Sequence, residues 1–153
     1  MAGGDFKQSR KVPDMPMLDA YLIFNGNCAE AMRFYERTLG GNLQMMTHAE
    51  SPMAGQGASA ANADRILHAR LSLDGRNLMA SDSMMGQPYG GMNGFSLSLI
   101  YPTVEEAKRV FDALAVGGQV TMPFGKTFWA EAFGMLVDRF GTPWMINGNV
   151  ATM

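Results

Sequence analysis

The chain has 153 residues, long enough for one ordinary domain with a real core and too short to promise two independent ones. Hydrophobic residues at 47% and charged residues at 17% exclude global disorder. A net charge of -2, with no run of Lys or Arg, excludes the field that holds a polyanion, so nucleic acid is not an expected partner.

The opening MAGGDFKQSRKVPDMPM, residues 1–17, is polar and broken by proline, with no apolar stretch of signal-peptide length. It reads as a flexible tail, and because no later stretch reaches the length of a membrane span, the expectation is a cytoplasmic protein without a membrane partner. AYLIF (20–24) is strand-like, and NCAEAMRFYERTLGG (27–41) follows as an amphipathic helix. Asn27 with Glu30 three residues on has the form of a capping box, Ala31, Phe34 and Tyr35 form the apolar stripe, and Gly40-Gly41 stops the helix. Cys28, the one cysteine, cannot make an internal disulfide and reads as a small apolar residue at the helix start rather than a nucleophile. Three strand patterns come next: NLQMMTH (42–48), RILHARLSL (65–73) and NLMASD (77–82). The small-residue stretch ESPMAGQGASAANAD between the first two (50–64 of it) reads as a mobile surface insertion in preference to a lid.

SMMGQPYGGMNG (83–94) has a linker's composition. Beyond it FSLSLI (95–100) is strand-like, and TVEEAKRVFDALAVGG (103–118) is a second helix with Thr103 and Glu106 as capping box and Ala107, Val110, Phe111 and Leu114 as stripe. The strand patterns QVTMP, GMLVD and PWMIN complete the chain. The second half repeats the first: Glu30, Ala31, Arg33, Tyr35 and Gly41 fall opposite Glu106, Ala107, Arg109, Phe111 and Gly117 at one constant offset, and the turns LDGRN and RFGTP match. The unit is β-α-β-β-β used twice, an α+β fold. Of the 15 methionines, most read as adaptable core filler, and their thioethers also suit a pocket for an apolar ligand.

Together YLIFNGNCAEAMRFYERTLGG at the front and FWAEAFGMLVDRFGTPWMING at the back resemble the vicinal oxygen chelate (glyoxalase, bleomycin-resistance and dioxygenase) superfamily, and more narrowly its PhnB-like branch. The resemblance implies one domain over 18–149, with modules 18–82 and 94–149. It also implies a mixed sheet curled into a cup with the helices outside, a homodimer, and a small-molecule ligand on the concave side. Metal-using members place ligands on the first and last strand of each module. Carried over from the helix motifs, the first-strand positions fall on Ala20 and Ser96; counted from the turn glycines Gly75 and Gly141, the last-strand positions fall on Met79 and Met145. None of these suits a hard or borderline divalent ion, so neither a metal nor another cofactor is expected. Strand alternation then places Ser98 with Ser96 on the cup face, and puts Leu67, Ala69, Leu71 and Leu73 under the helix with His68, Arg70 and Ser72 opposite. Asp138 is matched to Ser72, and Met135 and Val137 are assigned to the core.

His68 thus stands on the expected cup face. As a metal ligand it would need partners from His48, Glu131, Asp138 or Asp82, and a hydrogen-bonding role is preferred; proton transfer without metal stays open. Arg70 would hold a ligand's anionic group or pair with Asp138. The aromatic cluster Phe124, Phe128, Trp129 and Phe133 serves as core, dimer interface or ligand wall. The expected lining is Phe24, His68, Arg70, Met79, Ser96, Ser98, Trp129, Asp138 and Met145, with His68 as the one catalytic candidate. Whether the protein is an enzyme stays open. Binding without the usual metal is favoured; the competing reading is a metal-dependent lyase, isomerase or dioxygenase rearranged around His68, and a ligand-free scaffold is the third. PhnB-like domains sometimes carry a methyltransferase label, but nothing resembles the glycine-rich turn that cradles S-adenosylmethionine, so methyl transfer is discounted.

Overall fold

A computed structural model describes residues 15–151, with Ala58 and Ser59 by backbone alone. The tail expected over 1–17 therefore lies outside the described residues except for its last three. The chain forms two compact units that divide between Tyr89 and Gly90, inside the linker-like stretch.

The first unit runs β1 (Ala20–Phe24), α1 (Cys28–Leu39), β2 (Asn42–Thr47), α2 (Gly57–Ala61), β3 (Ile66–Leu73) and β4 (Arg76–Asp82). Its sheet order is β1-β4-β3-β2, with β1 parallel to β4 and the other neighbours antiparallel. The second unit runs β5 (Leu97–Tyr101), α3 (Val104–Ala115), β6 (Gln119–Gly125), β7 (Ala130–Val137) and β8 (Pro143–Val150), in the matching order β5-β8-β7-β6. The repeat read from the sequence is thus the repeat of the fold: two β-α-β-β-β modules, each a mixed four-stranded sheet.

Each helix lies on one face of its own sheet because its apolar positions recur at helical spacing. Ala31, Met32, Phe34 and Tyr35 of α1 are buried, as are Ala107, Val110, Phe111 and Leu114 of α3. Full burial of a Val- to Phe-sized side chain stabilises by about 1.5–3 kcal/mol, so these stripes fix the helices more firmly than propensity does. Beneath α1 the sheet contributes Leu22, Phe24, Ala69, Leu71, Leu78 and Ala80; beneath α3 it contributes Leu136, Trp144 and Ile146. Gly134 belongs to that second surface, where a Cβ would stand 2.6 Å from the Phe111 ring.

The two helix starts differ. Thr103 accepts a hydrogen bond from the Glu106 N–H at 3.2 Å, as its sequence promised. Asn27 makes no such bond. In its place Asp82, at the far end of β4, accepts from the backbone N–H groups of Gly26 (2.8 Å) and Cys28 (3.0 Å) through Oδ1, and from Ile66 (2.9 Å) through Oδ2. A carboxylate at that helix start also complements the partial positive charge there.

The insertion expected to be a mobile loop is tied at both ends. Its Ala49 N–H donates to the Ala63 carbonyl at 3.0 Å, and the buried Asn62 accepts from the Met85 N–H at 2.7 Å.

Two one-residue differences between the modules displace the site positions counted from the sequence. Three residues join β1 to α1 but two join β5 to α3, so counting back from the helices gives the wrong face in the first unit. Ala20 pairs with Leu78 on the helix side, and the residue in register with Met79 is Tyr21; in the second unit Ser98 is in register with Met145. Ser96 precedes β5 altogether. The β3–β4 turn closes on Leu73 and Arg76, whereas Asp138 and Thr142 bracket a turn one residue longer. Ser72 therefore corresponds to Val137 and not to Asp138. With Leu136 1% exposed under α3, Met135 and Val137 belong to the opposite face, contrary to the sequence assignment.

Candidate functional site

The helix-free face of the first unit is built in rows across its four strands. One row is Gln44, Arg70, Met79 and Tyr21; the next is Met46, His68, Ser81 and Ile23, in which Met46 and His68 are register partners. Alternation along β3 sends His68, Arg70 and Ser72 to this face because Ala69 and Leu71, both fully buried, occupy the other.

His68 and Tyr21 meet here. The Tyr21 hydroxyl lies 3.0 Å from His68 Nδ1, and the two rings stand 5.6 Å apart at 34°. Tyr21 is 45% exposed, so its phenol remains accessible from solvent. Partial burial, with a smaller contribution from Arg70, holds the His68 imidazole below its ordinary pKa, so at neutral pH it is the neutral, proton-accepting form. The contact serves either neutral tautomer: with the imidazole proton on Nε2 the phenol donates to Nδ1, and with it on Nδ1 the phenol oxygen accepts. Arg70 Nη2 donates to Gln44 Oε1 along the row.

The corresponding face of the second unit is apolar. Met122, Met135, Met145 and Ser98 form one row, and Gly125, Phe133, Asn147 and Ile100 the next. Asn147 Nδ2 donates to Ser98 Oγ at 3.5 Å and to the Leu99 carbonyl at 3.4 Å, while its Oδ1 accepts from the Trp129 indole at 3.4 Å. Trp129 packs edge-on to Phe128 (4.8 Å) and Phe133 (5.1 Å), and with Lys126, Glu131 and Asn149 it borders a recess of about 290 Å³.

Of the lining read from the sequence, His68, Arg70 and Met79 stand together on the first helix-free face, and Ser98 and Met145 on the second. Phe24 does not join them: it is 1% exposed on the helix side, where the alternation that buries Leu22 places it. Asp138 does not line a face either. It accepts from the N–H groups of Phe140 (2.9 Å) and Thr142 (3.1 Å) and from the Trp144 indole (2.9 Å), closing a turn within its own unit. Asp82, proposed as a co-ligand of His68, is on the helix side and engaged with the three backbone N–H groups described above. Cys28 is fully buried in α1, and burial, with Asp82 nearby, pushes its thiol well up from the ordinary value, which removes thiolate chemistry.

Tyr21 and Asn147 were not read as site residues. In AYLIF both faces of the strand are apolar or aromatic, so alternation carried no contrast that singled out Tyr21. Asn147 could have been found, since it lies two residues from Met145 on the same strand face.

Met79 and Met145, the last-strand positions carried over from the resemblance, are in register with Tyr21 and Ser98 rather than with Ala20 and Ser96, and these two pairs offer a phenol, a hydroxyl and two thioethers, with no carboxylate and no imidazole. Among the described residues no three His, Cys, Asp or Glu side chains form a group that could hold a metal ion. This donor set does not fit a hard or borderline divalent cation.

Comparison with known proteins agrees with the fold. The family described as 3-demethylubiquinone-9 3-methyltransferase matches residues 17–147. Protein YjdN of Escherichia coli (strain K12) is 42% identical over 141 residues, covering 85% of this chain and 93% of YjdN. Protein PA1353 of Pseudomonas aeruginosa superposes with a TM-score of 0.79 at 48% identity, over 87% of this chain and 97% of that one. The PhnB protein of Bacillus cereus does so with a TM-score of 0.68 at 27% identity, over 86% and 98%. With its duplicated modules and these relatives, the chain belongs to the PhnB-like 3-demethylubiquinone-9 3-methyltransferase family.

Proposed function

We propose that this protein binds a small, partly apolar molecule against the sheet face of its first unit opposite α1, and does so without the usual metal of the superfamily it resembles. One observation carries the reading: the first unit brings Arg70, Tyr21 and His68 onto a face that no helix covers, with a thioether and a phenol at the ligand positions. A guanidinium and a phenol-imidazole pair recognise a polar head, and the Met79 thioether between Arg70 and Tyr21 in the same row suits an apolar body. Our reading extends to a cytoplasmic homodimer of the 18–149 domain, with no nucleic-acid or membrane partner. The sheet-edge strands β1 and β5 leave Ile23 and Ile100 exposed, as an interface would. Among the described residues no helix is long and apolar enough to cross a membrane.

Methyl transfer, which the family's description names, is not our reading. The two long helices, α1 and α3, follow Asn25-Gly26-Asn27 and Pro102-Thr103, neither of them a glycine-rich turn of the kind that holds S-adenosylmethionine.

The test is metal content of the full chain purified without an affinity tag, then titration with Mn, Fe, Ni, Zn, S-adenosylmethionine and a small-molecule library while the melting temperature is followed. A ligand that binds only the folded state stabilises by about 2.7 kcal/mol at a hundredfold excess over its Kd, which such a scan detects. The expected result is no stoichiometric metal, no response to the metals or to S-adenosylmethionine, and an organic hit whose effect His68→Ala weakens. Near-stoichiometric metal with a clear rise that His68→Ala abolishes overturns the proposal in favour of a metal enzyme built around His68.

A further inference from the structure

Resting on that binding reading, we infer that Arg70, Tyr21 and His68 form a metal-free proton-transfer site for a small oxyanion-bearing ligand, with Arg70 holding the anion and the Tyr21–His68 pair taking a proton from the ligand.

The geometry comes first. His68 and Arg70 are two residues apart on one strand face, which sets their Cα atoms about 7 Å apart along β3. The guanidinium, donating to Gln44 at the far side of the row, shares this face with the phenol-imidazole pair and is close enough to act on the His68 charge, so a ligand held by its anion on Arg70 has the pair on the same face. Tyr21 stands two strands over from Arg70 in the same row, separated from it by Met79, whose flexible side chain provides an apolar floor for the connecting atoms. The Tyr21 hydroxyl, 3.0 Å from His68 Nδ1, is the exposed end of the pair.

The step balances as a proton relay. In the tautomer with the imidazole proton on Nε2, the phenol oxygen accepts the ligand's acidic proton as its own proton passes to Nδ1. The ligand's acidic group, separate from the oxyanion on Arg70, loses one proton and becomes its conjugate base, the neutral imidazole becomes an imidazolium, and the phenol ends as it began. No oxidant, reductant or metal enters.

Electrostatics ties the two halves together. In the two rows that contain His68 and Arg70, the remaining side chains are Gln44, Met79, Tyr21, Met46, Ser81 and Ile23, so Arg70 is the one charged group of the rows. Its charge opposes protonation of His68 in the absence of ligand. An anion on Arg70 offsets that charge, so the pair becomes a better proton acceptor when the ligand's head is in place.

The experiment follows the two histidine side chains of the full 15N-labelled chain by NMR across pH, with His68→Asn to assign them and inorganic phosphate and acetate added in separate arms as probes. Three results are expected. Either anion shifts the His68 titration upward, and the stronger of the two identifies the head group. Arg70→Gln shifts it upward with no anion present and abolishes the anion response. Tyr21→Phe, folded by its melting temperature, changes the Nδ1 shift that reports the hydrogen bond. An anion that perturbs neighbouring resonances but leaves the His68 titration in place overturns the proton-transfer site while the binding reading stands. An unchanged Nδ1 shift in Tyr21→Phe overturns it as well, and no anion response in the parent chain removes Arg70 as the anchor on which it depends.

Discussion

His68 has a pH consequence that does not depend on any ligand. Its folded-state pKa lies below its ordinary value, chiefly through partial burial and then through Arg70. Folding thus disfavours the protonated form: the associated stability is fully present above the ordinary imidazole range near pH 6.5 and is lost as pH falls through the lowered folded value. Melting temperature should decline over that acid limb, and His68→Asn should flatten the decline relative to the parent chain while changing the plateau above pH 7 little. Asp82 predicts the opposite kind of result. It is 7% exposed and accepts from three backbone N–H groups, so Asp82→Ala leaves buried donors without an acceptor and should cost about 3 kcal/mol by denaturant unfolding. A loss below 1 kcal/mol would show that water replaces the carboxylate at that helix start. The sequence offered Asp82 only as a metal co-ligand, because its true partners, Gly26 and Cys28, precede it by 56 and 54 residues.

Among the elements, the helices and most strands were legible because periodicity is a local property: AYLIF became β1 residue for residue, and the core faces of α1 and α3 follow the apolar stripes. What failed was counting between elements. One residue fewer between β5 and α3, and one more in the β7–β8 turn, reversed the face assigned to Ala20, Met135 and Val137, since a slip of one moves a strand's side chains to the other side of the sheet. Met79 and Met145 fall on the sheet face assigned to them because they were counted forward from the turn glycines, across no length difference. The same distinction separates the capping boxes. Thr103→Ala should cost about 1 kcal/mol, whereas Asn27→Ala should cost no more than a few tenths, and urea unfolding of the two variants checks the contrast. Equal losses would mean that Asn27 contributes to its helix in a way its φ of -112° and ψ of 21° do not indicate.

For the whole molecule, the sequence supplied the duplicated architecture and the family but not the division of chemistry between the modules. Equivalent positions of the two repeats carry Arg70 and Met135, His68 and Phe133, and Tyr21 and Ser98. That contrast was invisible until the registers were known, because the offset between repeats is 77 on the first strand and 76 on the helix, then 65 on the third strand and 66 on the last. Sedimentation of the full chain should show a dimer; a monomer at micromolar concentration would leave the exposed apolar side chains of β1 and β5 for another role.

The two helix starts also order events in time. α3 carries its cap within four residues of sequence, so it can begin to form as soon as its own segment exists. α1 has its cap on β4, so its first turn stays open until the chain has closed a loop of more than 50 residues and laid down the rest of the first sheet. The module synthesised first is therefore the one whose helix is completed by its last strand, whereas the later module's helix has its cap within its own segment.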